Sequence, residues 1–461
     1  MNNTPTTTRH QRSRVAHYAQ TCDSYRYFNL LTSDGLFEEV ESLLPQHRER
    51  QYPPTETLSL FLAQAMSSDR SCQHIVNQTA VERVIGGLPQ VSTHTGGYCR
   101  ARKRLPIKMV RSLTQRLGSQ IDEPAPLNWR WNGRRVCLID GTTVTMPDTA
   151  DNQAQFPKHR GQKAGLGLPI CRLVGITSLS TGALLDAAIG RFNGKGSSEQ
   201  TLLRQIVGTF KQGDIVMGDA FFATWFFILD MQSKGIDIVM EQLGARRTST
   251  DFRKGKRLGK RDHIVSFGKP KGKPDWMDQE DYDAAPETLS IREFRAGGKT
   301  MVTTMTCPKE APKSELKALY KSRWNVELDL RSIKDTLGMN ILSCKSAQMV
   351  EKEIWVYLLA YNLIRLMMAQ SALLVDVNPR QLSFKHCLQI GLITSQKLDL
   401  CTPEQLVSLL MLIAQQRVAN RPGRIEPRAV KRRPKPYPLL MLPRDEAREN
   451  VRKYGHPKKL K

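Results

Sequence analysis

A charged stripe runs along one predicted helix in the last third of the chain. Within the segment YKSRWNVELDLRSIK, the residues Tyr320, Arg323, Glu327, Arg331 and Lys334 follow one another at separations of three or four. At about 100° per residue, these side chains fall within an arc of about 80° on an α-helix. Such spacing usually carries the apolar face of a helix. A phenol, an acid and three bases there indicate either an exposed ladder of ion pairs or a surface that binds a charged ligand.

Two aspartates each end a short apolar run with strand character. Asp140 closes VCLID and precedes Gly141, and Asp219 closes DIVMGD and precedes AFFATW. Taken singly, Asp-Gly and Gly-Asp are ordinary turn pairs. In an open α/β sheet, however, the carboxyl ends of the strands gather at one edge, where ligand sites form. Glu327 lies on a later helix that can pack across such a sheet, so we expect the three carboxylates to converge.

Three converging carboxylates repel one another unless a cation lies between them. No histidine or cysteine accompanies them, and oxygen ligands favour Mg²⁺, which also binds substrate phosphate. Two such ions can activate a water on one side of a phosphodiester and stabilise the leaving oxygen on the other. We therefore predict a site for two Mg²⁺ ions, for which Mn²⁺ is expected to substitute. Arg323, Lys334 and Arg331 are then predicted phosphate contacts, with Tyr320 bound to a phosphate at the end of the row.

The composition favours a polyanionic partner. The 461 residues include 69 lysines and arginines and 44 acidic residues, so the formal net charge is +25. This excess points first to nucleic acid. It argues against a glycosidase, because sugar hydrolysis by paired carboxylates gives a basic surface no role. Nine scattered cysteines without a C-x-x-C pair predict reduced thiols in a cytoplasmic protein and no zinc site.

An anionic membrane surface is the rival partner for so basic a chain. The most apolar stretch, Ile354 to Met368, contains Asn362 and Arg365 and follows three charged residues. It is too short and too polar for a membrane span and is predicted to be a buried helix. The opening sequence MNNTPTTTRHQRSR has no apolar region, so nothing in it indicates secretion. We expect a protein that does not bind membranes.

The chain divides into three predicted regions. Residues 1–125 have helical apolar spacing, as in LFEEVESLL and TLSLFLAQAMS, and form a predicted helical N-terminal domain. Residues 126–375 contain three strands, a helix, a strand, a helix and a strand, which predicts a mixed α/β sheet. Within them, residues 241–312 are basic and glycine-rich with short strands, and form a predicted β-rich insertion. Residues 376–461 form a predicted helical segment with a basic, proline-rich tail.

Two further basic segments are candidates for DNA contact. Arg100, Arg102, Lys103 and Arg104 follow the Gly-Gly turn of VSTHTGGYC, and a helix that opens on this basic turn is able to dock on phosphates or in a groove. A solvated basic face explains the same residues equally well. Residues 417–461 contain 15 lysines and arginines, 4 acidic residues and seven prolines. Such a tail is predicted to be extended and to order on a polyanion.

The stripe and the two aspartate blocks together resemble a known family. Tyr320, Arg323, Glu327 and Lys334 match, in type and spacing, the Y-(2)-R-(3)-E-(6)-K signature of the insertion sequence four family of DDE transposases. The segment LIDGTTVTMPDT resembles that family's first-aspartate block, and DIVMGDAFFATWFF resembles its second. The likeness runs from about residue 137 to 364 and extends into the tail segment RIEPRAVKRRPKPYPLL.

The resemblance implies a ribonuclease H-like catalytic core and a metal-dependent cut-and-paste reaction on double-stranded DNA. Water releases a 3′-OH at an element end, and in relatives that 3′-OH attacks the opposite strand to form a hairpin, which is reopened before transfer to target DNA. Tyr320, Arg323 and Lys334 carry over as phosphate contacts around the hairpin. Some relatives hold a flipped base against a tryptophan of the insertion. Trp276 is the one tryptophan of residues 241–312, and packing is the better interpretation of it.

Joining two element ends requires two active sites, so we expect a homodimer that binds terminal inverted repeats and target DNA. One alternative is a DNA-binding protein descended from a transposase that no longer cuts. Loss of an acid would favour it, but all three candidate acids are present. Another is a stand-alone nuclease with the same core. The basic N-terminal region and the tail favour end recognition and synapsis instead.

Overall fold

The computed structural model describes most of the predicted catalytic region and parts of both flanks. The described residues are 52, 54–85, 91–159, 161, 167–244, 250–395, 402–418 and 442–454. The predicted helix LFEEVESLL and the tail segment RIEPRAVKRRPKPYPLL lie outside these residues.

Within the described residues, nine strands form one mixed sheet. They are β1 Val136–Thr145, β2 Ile170–Ser178, β3 Leu184–Arg191, β4 Ile215–Gly218, β5 Asp237–Glu241, β6 Lys256–Gly259, β7 Asp262–Gly268, β8 Thr288–Ala296 and β9 Lys299–Thr303. Their order across the sheet is β3-β2-β1-β4-β5-β9-β8-β7-β6. β1, β4 and β5 run parallel to one another, and every other pairing is antiparallel.

The first five strands form the ribonuclease H-like part of the sheet, which confirms the predicted fold class. β4 and the first half of β1 are buried on both faces, because helices cover the parallel centre of the sheet. The apolar runs VCLI and IVM therefore predicted these two strands well. The strands of the β-rich insertion extend the same sheet, since β9 pairs with β5 through Val239 and Thr303.

Helices pack on both faces of the sheet and around its first edge. They are α1 Pro54–Met66, α2 Cys72–Ile85, α3 Gly96–Arg104, α4 Ile107–Asp122, α5 Ala150–Gln155, α6 Glu199–Arg204, α7 Trp225–Ser233, α8 Gln279–Ala284, α9 Lys313–Lys321, α10 Asn325–Arg331, α11 Ala347–Leu374, α12 Phe384–Ser395, α13 Pro403–Gln415 and α14 Arg444–Tyr454. α1 and α4 share one hydrophobic cluster with α11, so the N-terminal helices pack directly against the catalytic region.

The long helix α11 forms the centre of that cluster. By length and composition it would be able to cross a membrane, but 83% of its most apolar window is buried inside the protein. Its buried Asn362 and Arg365 side chains are hydrogen-bonded there. The Asn362 amide donates to the carbonyls of Thr114 on α4 and Leu184 on β3, at 3.0 and 2.8 Å. The prediction of a buried helix around Asn362 and Arg365 is confirmed, since both side chains lie in the interior.

Three local predictions need correction. β1 does not end at Asp140 but runs on to Thr145, because β2 continues to pair with it across the polar segment GTTVT. The striped segment is helical throughout but not one α-helix: a 3₁₀ turn, Ser322–Trp324, separates α9 from α10, and a π turn, Ser332–Thr336, follows. The tail is not wholly extended, because α14 forms where acidic residues open the helix and basic residues close it.

Candidate active site

Asp140 and Asp219 occupy equivalent positions on two adjacent parallel strands. In the register of β1 and β4, Leu138 lies beside Met217, and each aspartate follows two residues later. Neighbouring strands are about 4.8 Å apart, so the two carboxylates are close neighbours. Asp219 directly follows the end of β4, as predicted, whereas Asp140 lies inside β1. The sequence thus brings two acids together at the carboxyl end of the shortest central strand.

The environment of Asp140 disfavours its charge. Burial raises the pKa of this carboxyl to about 6, and the nearby charges of Asp219 and Glu199 act in the same direction. A hydrogen bond from the Gly141 amide, at 2.8 Å, and the guanidinium of Arg323 oppose the rise in pKa only in part. A bound cation would offset both the burial and the repulsion.

Glu327 approaches the same strands from α10, which packs on β1. Val326 and Leu330 bury one side of α10, and Glu327 on the other side is half-buried. Its Oε1 accepts a hydrogen bond from Nη2 of Arg323 at 2.8 Å. Arg331 is exposed, and no ion pair with Glu327 is found for it among the described residues. The ladder of ion pairs considered above therefore consists of a single pair.

Tyr320 and Lys334 lie at the two ends of the stripe and also face the aspartates. Burial raises the pKa of the Tyr320 phenol, and the charge of Asp219 contributes to the rise. Lys334 donates from Nζ to Oγ1 of Thr142 at 3.1 Å. Thr142 lies two residues after Asp140 on β1 and therefore on the same face of the sheet. The structure thus brings all four signature residues to the edge that carries the two aspartates.

The donor set at this edge fits a hard divalent cation. Asp140, Asp219 and Glu327 offer only oxygen atoms, and the raised pKa of Asp140 marks a carboxyl that lacks compensating positive charge. In the described part of the chain, no three Asp, Glu, His or Cys side chains are already gathered around a common point. One reason that the three acids are not gathered is that the Glu327 carboxylate is paired with Arg323.

Trp276 lies at the border between the insertion and the catalytic core. Its side chain is 48% exposed and packs edge-to-face on Phe226 of α7, with ring centroids 6.1 Å apart. The guanidinium of Arg204, from α6, lies 4.1 Å from the Trp276 ring centroid. The indole is thus partly packed, as expected, but it also keeps an accessible face.

The four basic residues lie in the second half of α3, not at its opening turn, and do not form one surface. Arg100, Lys103 and Arg104 are exposed, whereas Arg102 is only 8% exposed. The Arg102 guanidinium lies 4.7 Å from the ring centroid of Phe61 and donates to Oε1 of Gln64 at 3.2 Å. The prediction that Arg102 contacts DNA is therefore wrong, because its side chain fills the interior between α1 and α3.

Sequence reasoning missed two acids near this site. Asp329, a residue of α10, is fully buried, and its carboxylate forms ion pairs with Arg365 and Arg380. The signal was an acid that lies, on a helical wheel, next to the apolar side of the striped segment, which is formed by Leu319, Val326, Leu330 and Ile333. Glu199 is the first residue of α6 and influences the charge of Asp140. Its sequence context, a serine cap followed by an acid, is that of any helix start.

Comparison with known proteins agrees with this geometry. Residues 131–363 match a family model described as the transposase DDE domain, and this range includes both aspartates, Glu327 and the rest of the stripe. The chain is also 27% identical over 403 residues to the transposase InsG for insertion sequence element IS4 of Escherichia coli (strain K12), an alignment that covers 85% of this chain and 88% of InsG. The signature residues and the strand order of the sheet agree with both matches. The chain belongs to the DDE transposases of the IS4 family.

Proposed function

We propose that this transposase moves an insertion sequence by a cut-and-paste route, in which it cleaves DNA at terminal inverted repeats and joins the ends to target DNA. Metal-dependent cleavage and strand transfer follow from the family. The observation that supports the site assignment is the side-by-side placement of Asp140 and Asp219, with the signature helix α10 packed across the same strand.

Asp140, Asp219 and Glu327 are the proposed ligands of the divalent cation, which we propose to be a pair of Mg²⁺ ions that Mn²⁺ can replace. When bound, such ions supply an activated water and charge stabilisation for the leaving oxygen. In the DNA-free protein Oε1 of Glu327 is engaged by Arg323. A DNA phosphate would compete for the Arg323 guanidinium, so DNA binding and completion of the ligand set are coupled through this one ion pair.

The remaining signature residues are proposed to position the DNA backbone. Lys334 lies beside Thr142, and Tyr320 lies near Asp219, which supports the proposal that they contact phosphates on either side of the scissile bond. Arg331 is exposed on the same helix and is a proposed outer phosphate contact. Arg100, Lys103 and Arg104 remain candidates for recognition of the element ends.

Trp276 is a candidate to stack a flipped base with its exposed face, beside Arg204.

A homodimer is the proposed form of the complex, because two ends must be joined. The proposed division of the chain remains 1–125, 126–375 and 376–461, with the N-terminal helices docked on α11. The protein is proposed to act on DNA in the cytoplasm.

A cleavage assay on the DNA ends that flank the coding region tests this function. The wild-type protein is expected to nick and then join these ends with Mg²⁺ or Mn²⁺, and to do neither in EDTA. Products that are cleaved but never joined would favour a stand-alone nuclease. Specific binding without any cleavage in either metal would favour a catalytically silent descendant and overturn the proposal.

A further inference from the structure

Glu199 is held close to the paired aspartates by its local structure. It is the first residue of α6, which Ser198 caps by accepting a hydrogen bond from the Thr201 amide at 3.2 Å. The next residue, Gln200, donates from its side-chain amide to the carbonyl of Phe221. The Phe221 amide in turn donates to Oδ1 of Asp219 at 2.9 Å. The start of α6 is therefore fastened to the turn that carries the second aspartate.

The absence of a side chain at Gly141 leaves the space that the Glu199 carboxylate occupies. A Cβ atom built on Gly141 would lie 2.3 Å from Cδ and 2.4 Å from Oε1 of Glu199, closer than non-bonded atoms approach. The carboxylate thus rests on the backbone of the residue that directly follows Asp140. Any larger residue at 141 would displace it.

The Glu199 carboxylate is poorly compensated by the protein. Its side chain is only 25% exposed, and among the described residues no hydrogen bond to it is found. The nearest cation is Arg172, whose Nε lies 4.0 Å away, while its Nη1 donates to the Ser197 carbonyl at 2.9 Å. Burial raises the pKa of Glu199, and the charge of Asp219 adds to the rise. Neighbouring half-buried carboxylates of this kind are stabilised by a shared cation.

We propose that Glu199 is a fourth carboxylate of the active site, which binds a divalent cation together with Asp140 and Asp219. The inference rests on the proposed metal site and extends it. In the DNA-free protein Glu327 is hydrogen-bonded to Arg323, whereas no hydrogen bond from a cationic side chain to Asp140, Asp219 or Glu199 is found among the described residues. A glutamate has three rotatable side-chain bonds with which to reach a common ion. Metal binding to the DNA-free protein should therefore depend on Glu199.

An acid that only stabilises the start of a helix is not expected to affect metal binding. Glu280 is such a residue: it lies in the first turn of α8, is exposed, and is far along the chain from the aspartates. If Glu199 only stabilises the positive end of α6, then Glu199→Gln and Glu280→Gln should behave alike. Each would change helix stability only slightly and leave metal affinity unchanged.

Calorimetric titration of the full-length, DNA-free protein with Mn²⁺ tests the proposal. We expect Glu199→Gln to weaken Mn²⁺ binding by about ten- to a hundredfold, as is typical when a group that supports a metal site is lost. Gly141→Ala, which keeps the acid but displaces it, is expected to weaken binding in the same direction. Glu280→Gln should bind nearly as the wild type does. Cleavage by Glu199→Gln should recover as Mn²⁺ is raised.

The outcomes separate this inference from the proposed function. If Asp140→Asn loses Mn²⁺ binding while Glu199→Gln and Gly141→Ala keep wild-type affinity, Glu199 is not a ligand, and only the present inference fails. If Asp140→Asn also binds normally, the metal site itself is misplaced. Thermal melting of each variant monitors folding. Should Glu199→Gln not fold, Glu199→Asp replaces it, with a shorter reach and an intermediate affinity expected.

Discussion

Nη2 of Arg323 lies 2.8 Å from Oε1 of Glu327, so the arginine of the signature holds its glutamate in the DNA-free protein. The two side chains are 20% and 31% exposed. An ion pair of this kind, one helical turn apart and in contact with solvent, is worth only about 0.3–0.5 kcal/mol. A phosphate and a divalent cation can therefore separate the pair easily, and each partner then gains a stronger interaction.

Arg323→Ala and Lys334→Ala should fold normally but cut and join DNA poorly. Loss of a charge-assisted phosphate contact of about 1.5–3 kcal/mol corresponds to a ten- to hundredfold loss in binding or rate. The melting temperature should hardly move, because the Arg323 pair contributes little to stability. The salt dependence of DNA binding should become shallower by about one phosphate for each variant.

Lys321→Ala is the matched control for these variants. Lys321 is an exposed cation at the end of α9 and lies outside the stripe. It should leave cleavage unchanged. A clear fall in melting temperature for Arg323→Ala, together with an unchanged salt slope, would show that the ion pair is structural and that the stripe does not contact DNA.

Asp140→Ala, Asp219→Ala and Glu327→Ala should each abolish cleavage while end binding stays largely intact. Each change removes a proposed oxygen ligand, and the loss of one carboxylate opens the two-metal site. Gel-shift and cleavage assays on the same DNA measure both properties. Glu310→Ala, at an exposed acid that precedes α9, is the control. Near wild-type cleavage by any one of the three variants would remove that residue from the site.

The basic residues of α3 should divide into two classes. The triple variant Arg100→Ala, Lys103→Ala, Arg104→Ala is expected to weaken the preference for element ends over scrambled DNA, with little change in stability. Arg102→Ala should instead destabilise the protein by about 1.5–3 kcal/mol, because a buried cation with its hydrogen bonds is lost. Point variants are preferable to deletion of residues up to 120, because deletion would expose the face of α11 that α4 covers.

Gel shifts and urea unfolding distinguish the two classes. An unchanged preference for specific ends in the triple variant would place recognition in the insertion or the tail. A stability equal to wild type for Arg102→Ala would contradict the structural role of the buried guanidinium.

The five core strands and the stripe were predictable because their patterns are local. A strand buried on both faces is a continuous apolar run, and VCLI and IVM needed no partner to be recognised. The continuation of β1 beyond Asp140 was hidden, since GTTVT is polar and becomes a strand only through its pairing with β2. Likewise, four basic residues on one turn give no local sign that Arg102 faces Phe61. The position of Glu199 depends on the absence of a side chain at Gly141, which is a tertiary fact.

The buried acid Asp329 should hold the glutamate helix in place. Its Oδ1 lies 2.6 Å from Nη2 of Arg365 on α11, and its Oδ2 lies 2.9 Å from Nη2 of Arg380. Oδ2 also accepts from Oγ1 of Thr177 at 3.2 Å, so α10 is joined to the sheet. Removing one partner of a buried ion pair leaves an uncompensated charge and costs about 3–5 kcal/mol. We expect Asp329→Asn to lower stability by about that amount.

Because Asp329 and Glu327 share α10, the same variant should also lose cleavage at temperatures well below its melting point. Asp335→Asn, at an exposed acid on the following turn, is the matched control and should change neither property. Urea unfolding gives the free energy, and cleavage is measured where both proteins are fully folded. If Asp329→Asn cuts at the wild-type rate once folded, the network stabilises the chain without positioning Glu327. If its stability equals that of the control, the two buried arginines must be compensated by groups other than Asp329.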